Sequence, residues 1–190
     1  DLQSKLQEIN FPVSFLDFET YNPALPVYVG TSPYQQVPFQ WSLHIKTSSG
    51  DLLHKSFLWS EQDDPRAALV ESLIDAIPLE GTIVAYSNYE QRVMKDLAAA
   101  FPDFADALLG LCDRTFDLLK LIREEYYHPQ FHGSFSIKSV LPVLVPDTGY
   151  GGLEIQHGLV AAIDFGRMVS ENTSTEEREK TREALLAYCE

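Results

Sequence analysis

The run GTIVAY, residues 81–86, constrains the fold more than any other stretch of the chain. It is continuously apolar and β-branched, the pattern of a strand buried on both faces. It passes directly into SNYEQRVMKDLAAAF, residues 87–101, where Val93, Met94, Leu97, Ala98 and Phe101 recur at helical spacing. A doubly buried strand that feeds an amphipathic helix belongs to a layered α/β architecture.

The chain before this unit reads as three strands. VSFLDFE, residues 13–19, is rich in β-formers and follows a short helix at residues 2–9. FQWSLHIK, residues 39–46, alternates, with Phe39, Trp41, Leu43 and Ile45 on one face and Gln40, Ser42 and His44 on the other. After the turn TSSGD, the segment LLHKSFLW returns as a third strand, so the three form a meander. Between the first two strands lies a loop, 22–38, with Pro23, Pro26, Pro33 and Pro38, which excludes regular structure. A helix over 64–77 opens with a capping Asp64 and has Pro65 at its first position.

Downstream, residues 113–127 read as a short strand continuing into a helix, with Asp113 and Asp117 as spare acids and TFDLL as a strand-to-helix cap. SFSIKSVLPVL is a short helix broken at Pro142. A Gly-rich loop, 147–158, precedes a helix across LVAAIDFGRMV. The final segment from Ser174 carries Ser/Thr caps and runs helical to the end.

The length of 190 residues suits one domain, and 45% hydrophobic with 12% aromatic residues describes a globular chain. No apolar run reaches the length of a membrane span, and no signal-peptide pattern opens the chain. The expectation is a cytoplasmic protein without a membrane partner. Cys112 and Cys189 are too few and too isolated for a disulfide framework or zinc cluster, and Cys112 reads as a buried free thiol. A net charge of −14, from 28 acidic and 14 basic residues, argues against a broad basic nucleic-acid footprint. A site where divalent ions neutralise phosphate is compatible with it. The start without Met and the end within a helix suggest a piece of a larger protein, whose other domains are expected partners.

The chemistry concentrates in acids. Asp17 and Glu19 lie two residues apart, hence on one face of a strand. A buried carboxylate stripped of its partner costs about 3–5 kcal/mol; a divalent cation is one partner that makes the pair favourable, and oxygen ligands suit Mg²⁺ or Mn²⁺. A solvated strand end explains the same pattern. Glu90 falls near the centre of the apolar stripe of its helix, in the first turn after the buried strand, aimed at the end of the sheet. The helix dipole alone also favours an acid there. Asp96 lies off the stripe and reads as solvated. Leu185, Tyr188 and Cys189 share a helix face, so Tyr188 points inward, either as core packing or as a phenol able to orient a water. The loop tyrosines Tyr28 and Tyr34 either pack on the domain or stack on bases. The histidines are scattered, with His132 and His157 in loops. A two-carboxylate glycosidase fits poorly, since its acids flank a sugar at about 5–9.5 Å.

Together these residues resemble the DEDD superfamily of ribonuclease H-like exonucleases. FLDFET resembles its first motif, with Asp17 and Glu19 as metal ligands. VAYSNYEQ resembles the second, with Tyr89–Glu90 in place of an aromatic followed by Asp. AYCE resembles the start of the tyrosine-type third motif, Tyr-x-x-x-Asp, with Tyr188 as its tyrosine and its final acid at position 192, beyond the chain. LDFETYNPALPVY, PYQQVPFQWSLHI and YCE are similar to the bacterial DUF2779 domain family, across essentially the whole chain. GSFSIKSVLPVLVPDTGY resembles the connector of the YprB-type branch of these nucleases.

The resemblance implies a single α/β domain over 1–190, with a mixed five-stranded ribonuclease H-like sheet. Its first three strands are antiparallel and helices cover both faces. It implies 3′–5′ exonucleolytic phosphodiester hydrolysis by two divalent cations, Mg²⁺ or Mn²⁺, about 3.5–4 Å apart. Asp17, Glu19 and Glu90 would bind them and Tyr188 would position the attacking water. Phe18, Thr20, Tyr28, Tyr34 and Tyr89 are the candidate contacts to the 3′ end of single-stranded DNA or RNA. The alternative is a ribonuclease H-like scaffold or nucleic-acid-binding domain without turnover, which the Glu in the second motif and the acidic surface favour.

Overall fold

The computed structural model describes residues 1–146 and 158–189. The Gly-rich stretch 147–157, with His157, and Glu190 lie outside the described residues.

Three strands come first: β1 (Val13–Tyr21), β2 (Val37–Lys46) and β3 (Leu52–Leu58), preceded by the short helix α1 (Leu2–Leu6). Helix α2 (Arg66–Ala76) leads to β4 (Thr82–Ala85), and α3 (Tyr89–Ala100) follows at once. A 3-10 turn (Pro102–Phe104), α4 (Ala105–Asp113), β5 (Thr115–Asp117) and α5 (Leu118–Glu125) continue the chain. After a second 3-10 turn (Pro129–Phe131) come α6 (Ile137–Leu144), α7 (Gly158–Met168) and α8 (Thr175–Tyr188).

The sheet order is β3-β2-β1-β4-β5, with β1–β2 and β2–β3 antiparallel and β1–β4 and β4–β5 parallel. This is the ribonuclease H-like topology expected from the sequence, with helices on both faces. On one face Leu16, Phe18, Trp41, Leu43 and Ile83 pack against α2, α3 and α4 through Leu69, Leu73, Met94, Leu97 and Leu108. The buried side of α3 is Glu90, Val93, Met94, Leu97 and Ala98, the stripe that the periodicity indicates, and Asp96 is exposed. On the other face Phe39 and Leu58 meet Ala161, Phe165 and Met168 of α7 and Leu185 of α8. A smaller cluster of Ile122, Phe131 and Val140 holds α5 and α6 beside Tyr86. No helix among the described residues is long and apolar enough to cross a membrane.

Three local expectations are corrected and one unassigned segment becomes a helix. Phe39 does not share a face with Trp41, Leu43 and Ile45: Glu19 pairs with Gln40 and Thr20 with Pro38, so Phe39 is the extra residue of a bulge. The bulge turns its ring to the opposite layer, where it stacks on Phe165 with centroids 4.0 Å apart. The helix expected to break at Pro142 runs on to Leu144, with Val145 N–H returning to the Leu141 carbonyl. Residues 105–113, unassigned from sequence, form α4 because Leu108, Leu111 and Cys112 close the core under the sheet. The last helix stops at Tyr188, one residue before the end of the described chain, where Cys189 takes up the cap position.

Helix α2 starts one residue later than expected, with Pro65 rather than Asp64 at the cap position, while Asp64 accepts from Arg66 N–H at 3.1 Å and binds the Arg66 guanidinium at 2.6 Å. Gly81 enters β4 at φ +89°, against Pro12, and a Cβ there would collide with the Pro12 backbone.

Candidate metal centre

Alternation along β1 creates the site. Leu16 and Phe18 enter the core, so Phe15, Asp17 and Glu19 point to the opposite face. The parallel pairing of β1 with β4 covers only Val13–Phe15 opposite Thr82–Val84. Beyond it β4 ends and the chain turns into α3. The carboxyl-terminal half of β1 is therefore left facing a gap at the point where the sheet order reverses, a common position for ligand sites in α/β folds.

Glu90 enters the gap from the first turn of α3 and is 4% exposed. The fourth contribution comes from the far end of the chain. A capping box between Ser174 and Glu177 starts α8. Gln40 Nε2 donates to the Leu185 carbonyl at 2.8 Å, and Ser42 Oγ donates to the Cys189 carbonyl at 2.6 Å. Ser42 Oγ in turn accepts from His54 Nε2 at 3.0 Å. The polar face of β2 thus grips the carboxyl-terminal end of α8 and sets Tyr188 and Cys189 over the acids.

The result is a cavity of about 500 Å³. Asp17, Glu19 and Glu90 line it with Tyr188, Cys189, Lys138 and Tyr86, and Phe15, Val84 and Leu118 supply apolar wall. Ligand atoms of Asp17, Glu19 and Cys189 all lie within 4.8 Å of one another. Glu90 lines the same cavity, near enough to Asp17 for their charges to repel. Among the described residues, Glu90 Oε2 is buried with no hydrogen-bond partner.

The electrostatics follow from burying like charges together. Asp17 touches solvent through the cavity mouth yet is crowded by protein on its other sides, and this burial lifts its pKa to about 6. The Phe18 N–H and the Glu90 carboxyl act in the opposite direction. Burial, then the charges of Asp17 and Glu90, raise Glu19 to about 8. Burial chiefly, with Asp17 and Asp117 adding repulsion, raises Glu90 to about 8, against its own backbone N–H and Arg92. The Cys189 thiol is pushed up by burial and by Glu19 and Asp17.

The remaining sequence candidates fall into two groups. Tyr89 lines the cavity, and its hydroxyl pairs with Thr20 Oγ1 at 2.6 Å. With Phe18, Glu19 and Gly158 these two also line a smaller cavity of about 360 Å³ beside Glu19. Phe18 itself is a core residue. Tyr28 and Tyr34 line neither cavity. Tyr28 is half-buried near Asp64, and Tyr34 is exposed, with its N–H bonded to the Pro23 carbonyl. Asp117 caps α5 through Lys120 N–H at 2.8 Å, and Asp113 is exposed. His132 is exposed, and Cys112 is a buried free thiol.

Cys189, Lys138 and Gly158 were not singled out for the site from sequence. Cys189 is adjacent to Tyr188 and was legible as a neighbour. Lys138 and Gly158 are remote in sequence, and a Cβ on Gly158 would stand 3.3 Å from Glu19 Oε2.

Comparison with curated proteins finds no match to this chain, and neither does comparison with solved structures. The family model of DUF2779, a domain of unknown function, matches residues 14–136, more than half of the chain, and the protein therefore belongs to the DUF2779 family.

Proposed function

We propose that the protein is a divalent-cation-dependent nuclease of the DEDD exonuclease type, releasing nucleotides from the 3′ end of single-stranded DNA or RNA. The observation that carries this reading is the convergence of Asp17, Glu19 and Glu90 on one cavity, with Glu90 Oε2 buried and unpartnered. Buried carboxylates repel one another unless protonated or bound to cations. A set of carboxylate oxygens fits hard ions such as Mg²⁺ and Mn²⁺, and Asp17, Glu19 and Glu90 would hold two of them. Bound divalent ions supply Lewis-acid stabilisation of charge on phosphate and lower the pKa of water.

The chain's own groups do the rest. Tyr188 orients the water that attacks phosphorus. Water oxygen bonds to phosphorus, the P–O3′ bond breaks, and the departing 3′ oxygen takes a proton, leaving a nucleoside 5′-monophosphate. Lys138 adds the positive charge in the cavity lining and attracts the scissile phosphate. Phe15, Val84 and Leu118 limit water on the apolar wall. Tyr89 lines the cavity and is bonded to Thr20, and the two line the smaller cavity beside Glu19. Tyr34, exposed in the loop after β1, would stack on a base farther along the strand.

The test is degradation of 3′- and 5′-labelled single-stranded DNA and RNA with Mn²⁺, using Asp17→Asn as the control. Stepwise loss from the 3′ end, abolished by the substitution, is the expected outcome. The second reading, a scaffold without turnover, draws on Glu90 standing where an Asp is usual. Absence of Mn²⁺ binding by calorimetry would select it and sink the nuclease.

A further inference from the structure

The tightest group of donor atoms in the cavity is not all oxygen. Cys189 Sγ lies within 4.8 Å of carboxylate oxygens of both Asp17 and Glu19. Its backbone is fixed by the Ser42 hydrogen bond to its carbonyl at 2.6 Å and by its N–H to the Leu186 carbonyl at 3.2 Å. The thiol is therefore presented by two anchored elements, β2 and the end of α8, and is half-buried. A second, separate feature marks the place as a cation site. Glu90, 4% exposed and lining the same cavity, has an oxygen with no hydrogen-bond partner among the described residues.

We propose that Cys189 is a ligand of this centre, giving it a carboxylate–thiolate donor set that takes thiophilic divalent ions, Zn²⁺ and Cd²⁺, in preference to Mg²⁺. Sulfur is a soft ligand, and a site with two carboxylates and one thiolate offers the mixed donors and low coordination number that Zn²⁺ accepts. Mg²⁺ demands six oxygen donors and gains nothing from sulfur. Binding exchanges the thiol proton for the ion, so each Zn²⁺ bound at Cys189 releases one proton from that thiol. On the proposed nuclease reading, on which only this consequence rests, Zn²⁺ is then an inhibitor that occupies the Asp17–Glu19 position and is not displaced by millimolar Mg²⁺.

Cobalt(II) is the spectroscopic probe, because sulfur-to-cobalt charge transfer in the near ultraviolet reports thiolate ligation directly. The intact protein and Cys189→Ser are titrated with Co²⁺, Zn²⁺ and Mn²⁺, with circular dichroism confirming that both are folded. The expected result is a charge-transfer band in the intact protein that is missing from Cys189→Ser. Zn²⁺ affinity should fall by about tenfold or more on the substitution while Mn²⁺ affinity changes little. A second variant, Cys189→Ala, should reproduce the loss. The core thiol Cys112 is retained throughout, so a band surviving in Cys189→Ser would overturn the proposal. Mn²⁺ binding without any thiolate band in the intact protein would overturn it too, while leaving the nuclease reading intact. Failure to bind any of the three ions would overturn both.

Discussion

Strand β1 has two sides that differ in what they tolerate. On one, Leu16 and Phe18 are 4% and 3% exposed and meet a continuous apolar layer from α2, α3 and α4. On the other, one residue along, Asp17 and Glu19 face a cavity shared with Glu90. The first side contributes stability by removing apolar surface from water. The second holds like charges in a space where water screens them poorly, so it works against stability until protons or cations arrive. The lesson is that a single strand can carry both the anchor and the strain, provided alternation keeps them on separate faces.

The largest effect should come from breaking the apolar side. Leu16→Ala should cost about 2–5 kcal/mol in urea denaturation, from lost transfer energy and the cavity left behind. Mn²⁺ binding by the protein that remains folded should be unchanged. A cost near zero would mean that the helical layer does not hold β1.

The charged side should show itself in pH dependence. Glu19 and Glu90 are raised from 4.5 to about 8 in the folded protein. The folded state therefore holds protons more tightly than the unfolded state, and the stability gained from them is complete below about pH 4.5. It is lost as pH rises through about 8. The metal-free protein should lose about 1–3 kcal/mol across that window, and saturating Mn²⁺ should reverse the loss. Thermal melts at pH 5 and pH 8.5, with and without Mn²⁺, measure it. A metal-free melting temperature that climbs with pH would contradict the electrostatic account.

Glu90→Gln isolates one acid. It keeps the shape and removes the charge, so at pH 8.5 the metal-free protein should gain about 1–2 kcal/mol. The Mn²⁺-induced rise in melting temperature should shrink at the same time. Stabilisation without a change in the metal response would separate Glu90 from the centre. The smallest effect concerns how α8 is seated over the acids. Ser174→Ala removes half of the capping box and should cost about 1 kcal/mol, with Mn²⁺ affinity little changed because Gln40 and Ser42 still grip the far end.

Much of this arrangement is legible in local patterns. The β-branched run at 82–85, the alternation around Asp17 and the stripe on α3 each have a period that backbone geometry enforces, and each element appears where its period places it. Glu90 was legible for the same reason: a charge on an apolar stripe is an anomaly visible without coordinates. The errors have physical causes as well. The Phe39 bulge comes from pairing with β1, and no period within β2 encodes the partner's register. Pro142 is tolerated because packing of Val140 against Ile122 and Phe131 keeps α6 helical past it.

By itself, then, the sequence determined most of the elements, α4 excepted, and the face of β1 on which Asp17 and Glu19 stand, because these depend on periods within a few residues. Only the tertiary structure decided that Cys189, Lys138 and Gly158 meet those acids, and that Tyr28 and Tyr34 do not. Those neighbours come together through a gap left by a short β4 and through two β2 side chains that grip α8 from more than a hundred residues away. Such long-range contacts depend on the packing of whole elements, which no local pattern records.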